Sequence, residues 1–297
     1  MNKIVSITVT YNRKKLLKEN IEALLKQDYS NFDIIVIDNN SSDGTDELMN
    51  LYSNNERVKY INTGENLGGA GGFNFGIKKA IELGYKYAWI MDDDTIPNIN
   101  ALSKLMEKKD MLNDDFSYLC SLVKWTDGKL CIMNKQEISE DALEEYENLK
   151  NNIIKVNYAS FVSCFIDLDI SRKIGLPIKE FFIYGDDMEY TLRLGNQKPG
   201  YLIIDSQVIH KMGQNNGINV IDVEPERIQR YYYNFRNVLY INRKKGKKEF
   251  MINIIRNMYL VLKILFKSKN KKIKRICAVL KGTMSGLFFR PNIEIIE

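Results

Sequence analysis

Four runs of β-branched and aliphatic residues in the first 94 positions alternate with helical stretches, and each ends in a polar cluster. "KIVSITVTY" is followed by the helical pattern of "KKLLKENIEALLKQ", and "FDIIVIDNN" by "DGTDELMNLYSNN", whose Asp and Thr give helix-start signals. "VKYINT" is a third short strand. The glycine-rich loop "GENLGGAGGFNFG" leads into the helix "IKKAIELG", and "YKYAWIMDDD" is the fourth strand. Strands separated by helices of about 10–15 residues imply a parallel sheet covered on both faces. Such sheets bind ligands at the carboxyl ends of their strands. The clusters "TYNR", "DNNSSDGT" and "DDDT" stand at those ends, so the topology aims them at one crevice.

Further along, the pattern is less regular. "EISEDALEEYENLKNN" reads as an acidic, exposed helix, "VNYASFVSCFIDLDI" as strand-like, and "EFFIYGDDMEYTLRLG" as a short strand, a turn and a helix. "YLIIDSQVIH" is another strand, and from Val223 onward the pattern is helical. The fold class is therefore α/β with a mostly parallel sheet, divided into residues 1–215 and a helical region, 216–297.

Charge is distributed unevenly along the 297 residues. The net charge is +5, but Arg243 to Lys281 holds 14 Lys and Arg against Glu249 alone, so the rest of the chain carries −8. A basic tail on an acidic body suits an anionic surface. In "EFMINIIRNMYLVLKILF", Glu249, Arg256 and Lys263 recur every seven residues and the remainder is largely apolar. That pattern fits a helix lying on an anionic membrane, or one packed on the core or on a second copy of the chain as a homo-oligomer. It does not fit a span, which would bury Arg256 and Lys263 in hydrocarbon. Nucleic acid is the poorer partner, because the basic residues lie among aliphatics rather than stacking aromatics. The four cysteines form no CxxC pair, which argues against zinc or a disulfide framework and for reduced, cytosolic thiols. The N-terminal "MNKIVSITVTYNR" reads as a strand rather than a signal peptide.

Two nucleotide motifs fail on the glycine loop. "GGFNFGIK" has Ile77 where a P-loop needs lysine, and GxGxxG is absent. What remains is either an anion-binding approach to a helix N-terminus or a tight turn with close helix–strand packing. Asp92, Asp93 and Asp94 offer oxygen ligands for Mg²⁺ or Mn²⁺, with Asp92 and Asp94 on one side of an extended segment and Asp93 on the other; a solvated turn is the alternative. His210, the only histidine, is either structural or a third ligand, and imidazole favours Mn²⁺ over Mg²⁺. In "GDDMEY", Asp186 and Glu189 have capping-box spacing, which leaves Asp187 as the candidate general base. With one imidazole, a Ser/His or Cys/His nucleophile is not available.

Taken together, "TVTYNR" (8–13), "VIDNNSSDGT" (36–45), "NLGGAGGFNFG" (66–76), "WIMDDD" (89–94), "GDDMEY" (185–190) and "VIH" (208–210) resemble the inverting family-2 glycosyltransferases of GT-A fold. The match runs over roughly residues 3–215. "NLGGAGGF", the triple Asp and "RYYYNFRN" (230–237) look most like bacterial galactofuranosyltransferases, with rhamnosyltransferases sharing much of the pattern. The resemblance implies Asp92, Asp94 and His210 as metal ligands, Asp93 on the donor sugar and Asp187 as base. It implies Asp38 on the base or ribose of the nucleotide, with Thr10 and Arg13 lining that pocket. Asn66, Gly68 and Gly69 would lie by the donor. UDP-galactofuranose with Mn²⁺ (or Mg²⁺) is the donor so implied, and dTDP-rhamnose the enzymatic alternative. The acceptor would be a lipid-linked glycan of a bacterial surface polysaccharide, met at the inner face of the cell membrane. A catalytically silent nucleotide-sugar-binding or membrane-scaffolding protein is the reading from another class.

Overall fold

The computed structural model describes residues 3–217 and 219–296. In chain order the elements are β1 (Ile4–Thr10), α1 (Lys14–Leu25), β2 (Asp33–Asp38), α2 (Thr45–Asn50), β3 (Val58–Asn62), α3 (Gly68–Glu82), β4 (Tyr87–Asp92), β5 (Thr95–Pro97) and α4 (Ala101–Met111). They continue with β6 (Tyr118–Trp125), β7 (Glu137–Ile138), α5 (Tyr146–Lys150), β8 (Ile153–Tyr158), β9 (Cys164–Asp167), α6 (Leu168–Ile174), α7 (Asp186–Gly195) and β10 (Gly200–His210). Three helices, α8 (Tyr231–Lys245), α9 (Lys247–Lys267) and α10 (Lys272–Phe288), complete the chain. Met1 and Asn2, where the sequence was read for a leader, lie outside the described residues.

One mixed sheet runs β3-β2-β1-β4-β9-β6-β10-β8-β7, with β5 paired to β10. Its N-terminal half, β3-β2-β1-β4, is parallel, as is β6 with β10, while β9 lies antiparallel between β4 and β6. Alternation within each strand divides the core in two. Ile34, Val36, Trp89 and Met91 face α1 through Leu17, Ile21 and Leu24, whereas Ile35, Ile37, Ala88 and Ile90 face α3 through Phe73, Ile77 and Ile81. Every residue of β1 is buried, as a strand covered on both faces requires.

Local differences from the sequence reading have physical causes. The glycine-rich segment is helix from Gly68 onward rather than a loop. Close contact, more than mobility, explains its glycines: a Cβ on Gly76 would stand 2.7 Å from Ile7 Cγ2, and one on Gly72 2.5 Å from Val9 Cγ1. Gly185 rather than Asp186 precedes α7, and Glu189 bonds Arg193 instead of closing a capping box. The acidic stretch is broken into a short strand, a 3₁₀ turn and the five-residue α5. No strand precedes "GDDMEY"; a 3₁₀ turn over Lys179–Phe181 stands there. The strand β5 and the helix α10 are additions that periodicity did not reveal.

The last residues return to the sheet domain, where Glu294 O accepts from Leu176 N at 2.8 Å and Glu294 Oε1 pairs with Lys78 at 2.6 Å. Enlarging Gly76 to leucine is expected to push α3 off β1 and cost about 1–3 kcal/mol, the usual range for overpacking. Urea unfolding of Gly76→Leu, which leaves every site residue unchanged, measures it.

Candidate active site

The carboxyl ends of β1, β2 and β4 face one crevice, at the point where the strand order reverses between β1 and β4. Asp92 ends β4, and Asp93 and Asp94 form the tight connection into β5. Because β5 pairs antiparallel with β10, Thr95 lies opposite His210, and Lys211 N donates to Asp94 O at 2.9 Å. This ladder brings a histidine 116 positions beyond Asp94 to its side. One ligand atom from each of Asp92, Asp94 and His210 lies within 4.8 Å of the others.

The donor set suits a divalent cation. Asp94 Oδ1 is buried, makes no hydrogen bond, and stands 3.0 Å from His210 Nε2. On the other side of the ring, Nδ1 lies 2.8 Å from Asn134 Oδ1, whose amide nitrogen donates to Ser160 Oγ at 3.0 Å. A carbonyl oxygen can only accept, so Nδ1 carries a proton, and a ring made neutral by a bound cation would offer its Nε2 lone pair to that ion. Asp92 and Asp94 would hold the cation with His210, and the cation would supply positive charge to a departing diphosphate.

Protons and Arg13 offset the charge of this cluster. Burial opposes protonation of His210, but Asp94, Cys131 and Asp92 outweigh it and push its pKa up to about 10. Burial, aided by Asp94, pushes Asp92 up to about 6. Asp94 stays below the ordinary carboxylate range because His210 and Arg13 overcome its burial.

Asp93 turns away from the triad. Its Oδ2 accepts from Thr10 Oγ1 at 2.7 Å, and Arg13 Nη1 reaches its Oδ1 at 3.3 Å and Asp94 Oδ2 at 2.5 Å. Burial pushes Asp93 up to about 7, although Arg13 acts against it. Thr10, Arg13 and Asp93 therefore form one cluster, with Arg13 half-exposed over the crevice.

Asp38 is fully buried and satisfied within the protein: Ser41 donates from N and Oγ at 3.0 and 2.6 Å, and Tyr60 from its hydroxyl at 2.7 Å. Asn66 Oδ1 accepts from Gly68 N at 2.9 Å, and Asn39 Nδ2 donates to Gly68 O at 2.9 Å. Gly68 has φ +72, and a Cβ there would meet Phe182 O at 2.2 Å, so only glycine fits. A Cβ on neighbouring Gly69 would meet nothing within 4 Å.

Asp187 lies in the first turn of α7, its Oδ1 accepting from Met188 N at 2.8 Å. Burial first, and the Asp92 charge after Met188, set its pKa at about 6, which also ties it electrostatically to the triad. Asp186, wholly enclosed, is pushed higher by burial and by Asp187. A carboxylate poised near neutrality beside a cation-binding triad suits proton abstraction from a hydroxyl.

The Glycosyl transferase family 2 model matches residues 6–170, more than half of the chain. The chain belongs to this family. It is an inverting glycosyltransferase of GT-A fold. Among curated proteins it is 24% identical over 264 residues to the galactofuranosyltransferase GlfT1 of Mycolicibacterium smegmatis, covering 84% of this chain and 85% of that one. It is 29% identical over 211 residues to the GalNAc(5)-diNAcBac-PP-undecaprenol β-1,3-glucosyltransferase of Campylobacter jejuni, covering 68% of this chain and 62% of that one. Residues 1–349 of S. aureus TarS, solved in complex with UDP, superpose with a TM-score of 0.57 at 18% identity, over 91% of this chain and 74% of that one. GalNAc-T7, solved with UDP, GalNAc and Mn²⁺, gives 0.59 at 13% identity, over 80% and 50%.

Sequence reasoning missed Asn134, Tyr60 and Asn39. Asn134 sits in an irregular segment 76 positions from His210, where no periodic signal marks it. Removing its carbonyl in Asn134→Ala is expected to weaken Mn²⁺ binding about 10–100-fold, the usual cost of losing a partner that orients a metal ligand. His210→Ala should weaken it further, and calorimetric titration of both variants with Mn²⁺ measures the order.

Proposed function

We propose that this glycosyltransferase moves galactofuranose from UDP-galactofuranose, with Mn²⁺, onto a lipid-linked glycan acceptor during synthesis of a bacterial surface polysaccharide. The observation that carries the reading is the Asp92–Asp94–His210 triad, with the half-buried base candidate Asp187 in the first turn of α7 feeling the charge of Asp92. Likeness to GlfT1 over most of both chains supports the donor sugar. A relative whose name specifies an undecaprenol-linked substrate supports the lipid-linked acceptor.

The chain's own groups have definite parts. Asp92, Asp94 and His210 hold the cation that neutralises the diphosphate. Thr10 and Arg13 line the nucleotide pocket, the buried Asp38 acts there through the Ser41 and Tyr60 it holds, and Asn66, Gly68 and Gly69 flank the donor where α3 begins. Arg13, ion-paired to Asp93 and Asp94, sits where it can exchange a carboxylate for a phosphate oxygen. That exchange frees Asp93 for a sugar hydroxyl. Asp187 takes the acceptor hydroxyl's proton as the oxygen attacks the anomeric carbon, and the carbon–oxygen bond to diphosphate breaks on the opposite face. One displacement inverts the anomeric configuration.

A panel of UDP- and dTDP-sugars with Mn²⁺ tests this reading, with turnover of UDP-galactofuranose and an inverted product linkage by NMR as the expected result. Preference for dTDP-rhamnose would overturn the donor. The acid limb of kcat/KM is expected near pH 6, because Asp187 must lose its proton and its pKa is raised to about 6. Asp187→Asn should abolish transfer and retain UDP binding.

The region 216–297 serves, in this reading, as a peripheral membrane attachment at the inner face of the cell membrane. On α9, Met251, Ile255, Met258, Leu262 and Leu265 are exposed at spacings of four and three, and only Asn257 and Ile264 are buried. Exposed Lys267, Lys269, Lys271 and Lys272 follow this stripe. A second copy would bring the same positive charge, whereas anionic lipid complements it. Among the described residues no helix is long and apolar enough to cross a membrane. The protein is expected to float with phosphatidylglycerol vesicles and not with phosphatidylcholine, and Met258→Glu/Leu262→Glu should abolish flotation. A concentration-dependent dimer without flotation would favour the homo-oligomer.

A further inference from the structure

The loop that carries Asp187 into the crevice has a backbone it would not hold alone. Phe182 has φ 63 and ψ −55, and Ile183 N donates to Phe181 O at 2.7 Å, closing a γ-turn of the rare, strained positive-φ kind. Tyr184 (φ 67) and Gly185 (φ 81) follow it directly into α7. Non-glycine residues persist in such conformations only where the surroundings over-determine them.

Two adjacent side chains on α8 provide that determination. Asn237 is wholly buried, and its Nδ2 lies within hydrogen-bond distance of three carbonyls: Phe181 at 3.0 Å, Ile183 at 3.1 Å and Tyr184 at 2.8 Å. Its Oδ1 accepts from Arg236 Nε at 2.9 Å. Arg236 Nη2 donates to Glu180 O and Phe181 O. The Arg236 guanidinium lies 4.0 Å from the Phe289 ring centroid and 5.0 Å from that of Tyr233, and no carboxylate pairs with it among the described residues. A buried cation is expensive unless its donors are used. Here Nη2 serves the loop, and Nε orients the asparagine that serves it too.

That loop also touches the other side of the crevice. Phe182 O accepts from Ala70 N at 3.2 Å and occupies the space a Cβ on Gly68 would need. The N-terminus of α3, with Gly68, and the N-terminus of α7, with Asp187, are thus held by one strap, and α8 holds the strap.

We propose that Arg236 and Asn237 are positioning residues that set Asp187 and the Gly68 turn at the donor, so that the C-terminal helices complete the active site. The proposal rests on the reading of Asp187 as the base. It gives Arg236 and Asn237 of "RYYYNFRN" a task within the fold.

The test compares Asn237→Ala, Asn237→Asp, Asp187→Asn and Asn257→Ala in the full chain, with active sites counted by the stoichiometry of UDP·Mn²⁺ binding. Asn257 is also buried but bonds Thr283 between α9 and α10, so its variant reports general loss of packing. Both Asn237 variants are expected to lower kcat per UDP-binding site about 10²-fold, the usual cost of a displacement near 1 Å. Donor KM should change less than about threefold and the acid limb of the pH profile should move, since orientation rather than ground-state binding is lost. Asn257→Ala should lower the melting temperature and leave kcat per site unchanged.

If Asn237→Ala keeps the parent kcat and pH profile while Asp187→Asn is inactive, the positioning role is overturned and the base remains. If Asp187→Asn is itself fully active, the base reading fails and the proposal fails with it. Should the Asn237 variants bind no UDP, Arg236→Lys carries the test: at least about a tenfold loss in kcat per site is expected from losing the bidentate fork, and an unchanged kcat overturns the proposal.

Discussion

Five carboxylates converge near the strand ends, and the cations that let them stay there arrive from elsewhere in the chain. Two like charges 4.8 Å apart, the limit within which the triad's ligand atoms lie, repel by roughly 3 kcal/mol at an effective dielectric constant near 20. Summed over a cluster, that repulsion rivals the whole stability of a domain, about 5–15 kcal/mol. Within the protein the cost is spread: Arg13 bridges Asp93 and Asp94, His210 is drawn toward its charged form, and Asp92, Asp187 and Asp186 rise toward neutrality. In the proposed reaction a divalent cation with a diphosphate would replace these compensations together, coupling ligand and fold through charge.

Topology makes the cluster available. Thr10 and Asp93 meet because β1 and β4 are parallel neighbours at the reversal of strand order. His210 meets Asp94 because the short β5 returns along β10. The first contact is a property of the fold class, whereas the second depends on a three-residue strand. That difference decides what could be read in advance. The parallel strands and their polar ends were legible because they repeat, each with a hydrophobic run and a polar stop. The resemblance could pair His210 with the aspartates, but the chain itself gave no local sign of β5.

The misreadings share a cause. Glycines in "NLGGAGGFNFG" signal a loop when judged by propensity, yet tertiary contact with Val9 and Ile7 makes them the residues that allow a helix to lie against the sheet. The D-x-x-E spacing of Asp186 and Glu189 suggested a cap, but Arg193 claims Glu189 and left-handed Gly185 begins the helix. In both cases a partner distant in sequence outcompetes a local rule. Asn134 and Asn237 escape for the same reason. An asparagine that serves another segment's backbone or ring leaves no periodic trace in its own.

The C-terminal helices extend this argument. Their charge marks them as a distinct region, and their exposed apolar stripe faces away from the sheet. Polar residues of α8 look the other way: Arg236 and Asn237 bond the loop before α7, and Arg243 donates to the carbonyls of Gly286, Leu287 and Phe289, tying α10 to α8. The chain then returns through Glu294 to Lys78 on α3, whose N-terminus carries the glycine turn. The outer helices are thus joined to the crevice through α8 and the loop before α7, and α3 is held near its N-terminus by that loop and farther along by Glu294. Composition divides the chain into two regions, but hydrogen bonding joins them at the loop that presents Asp187.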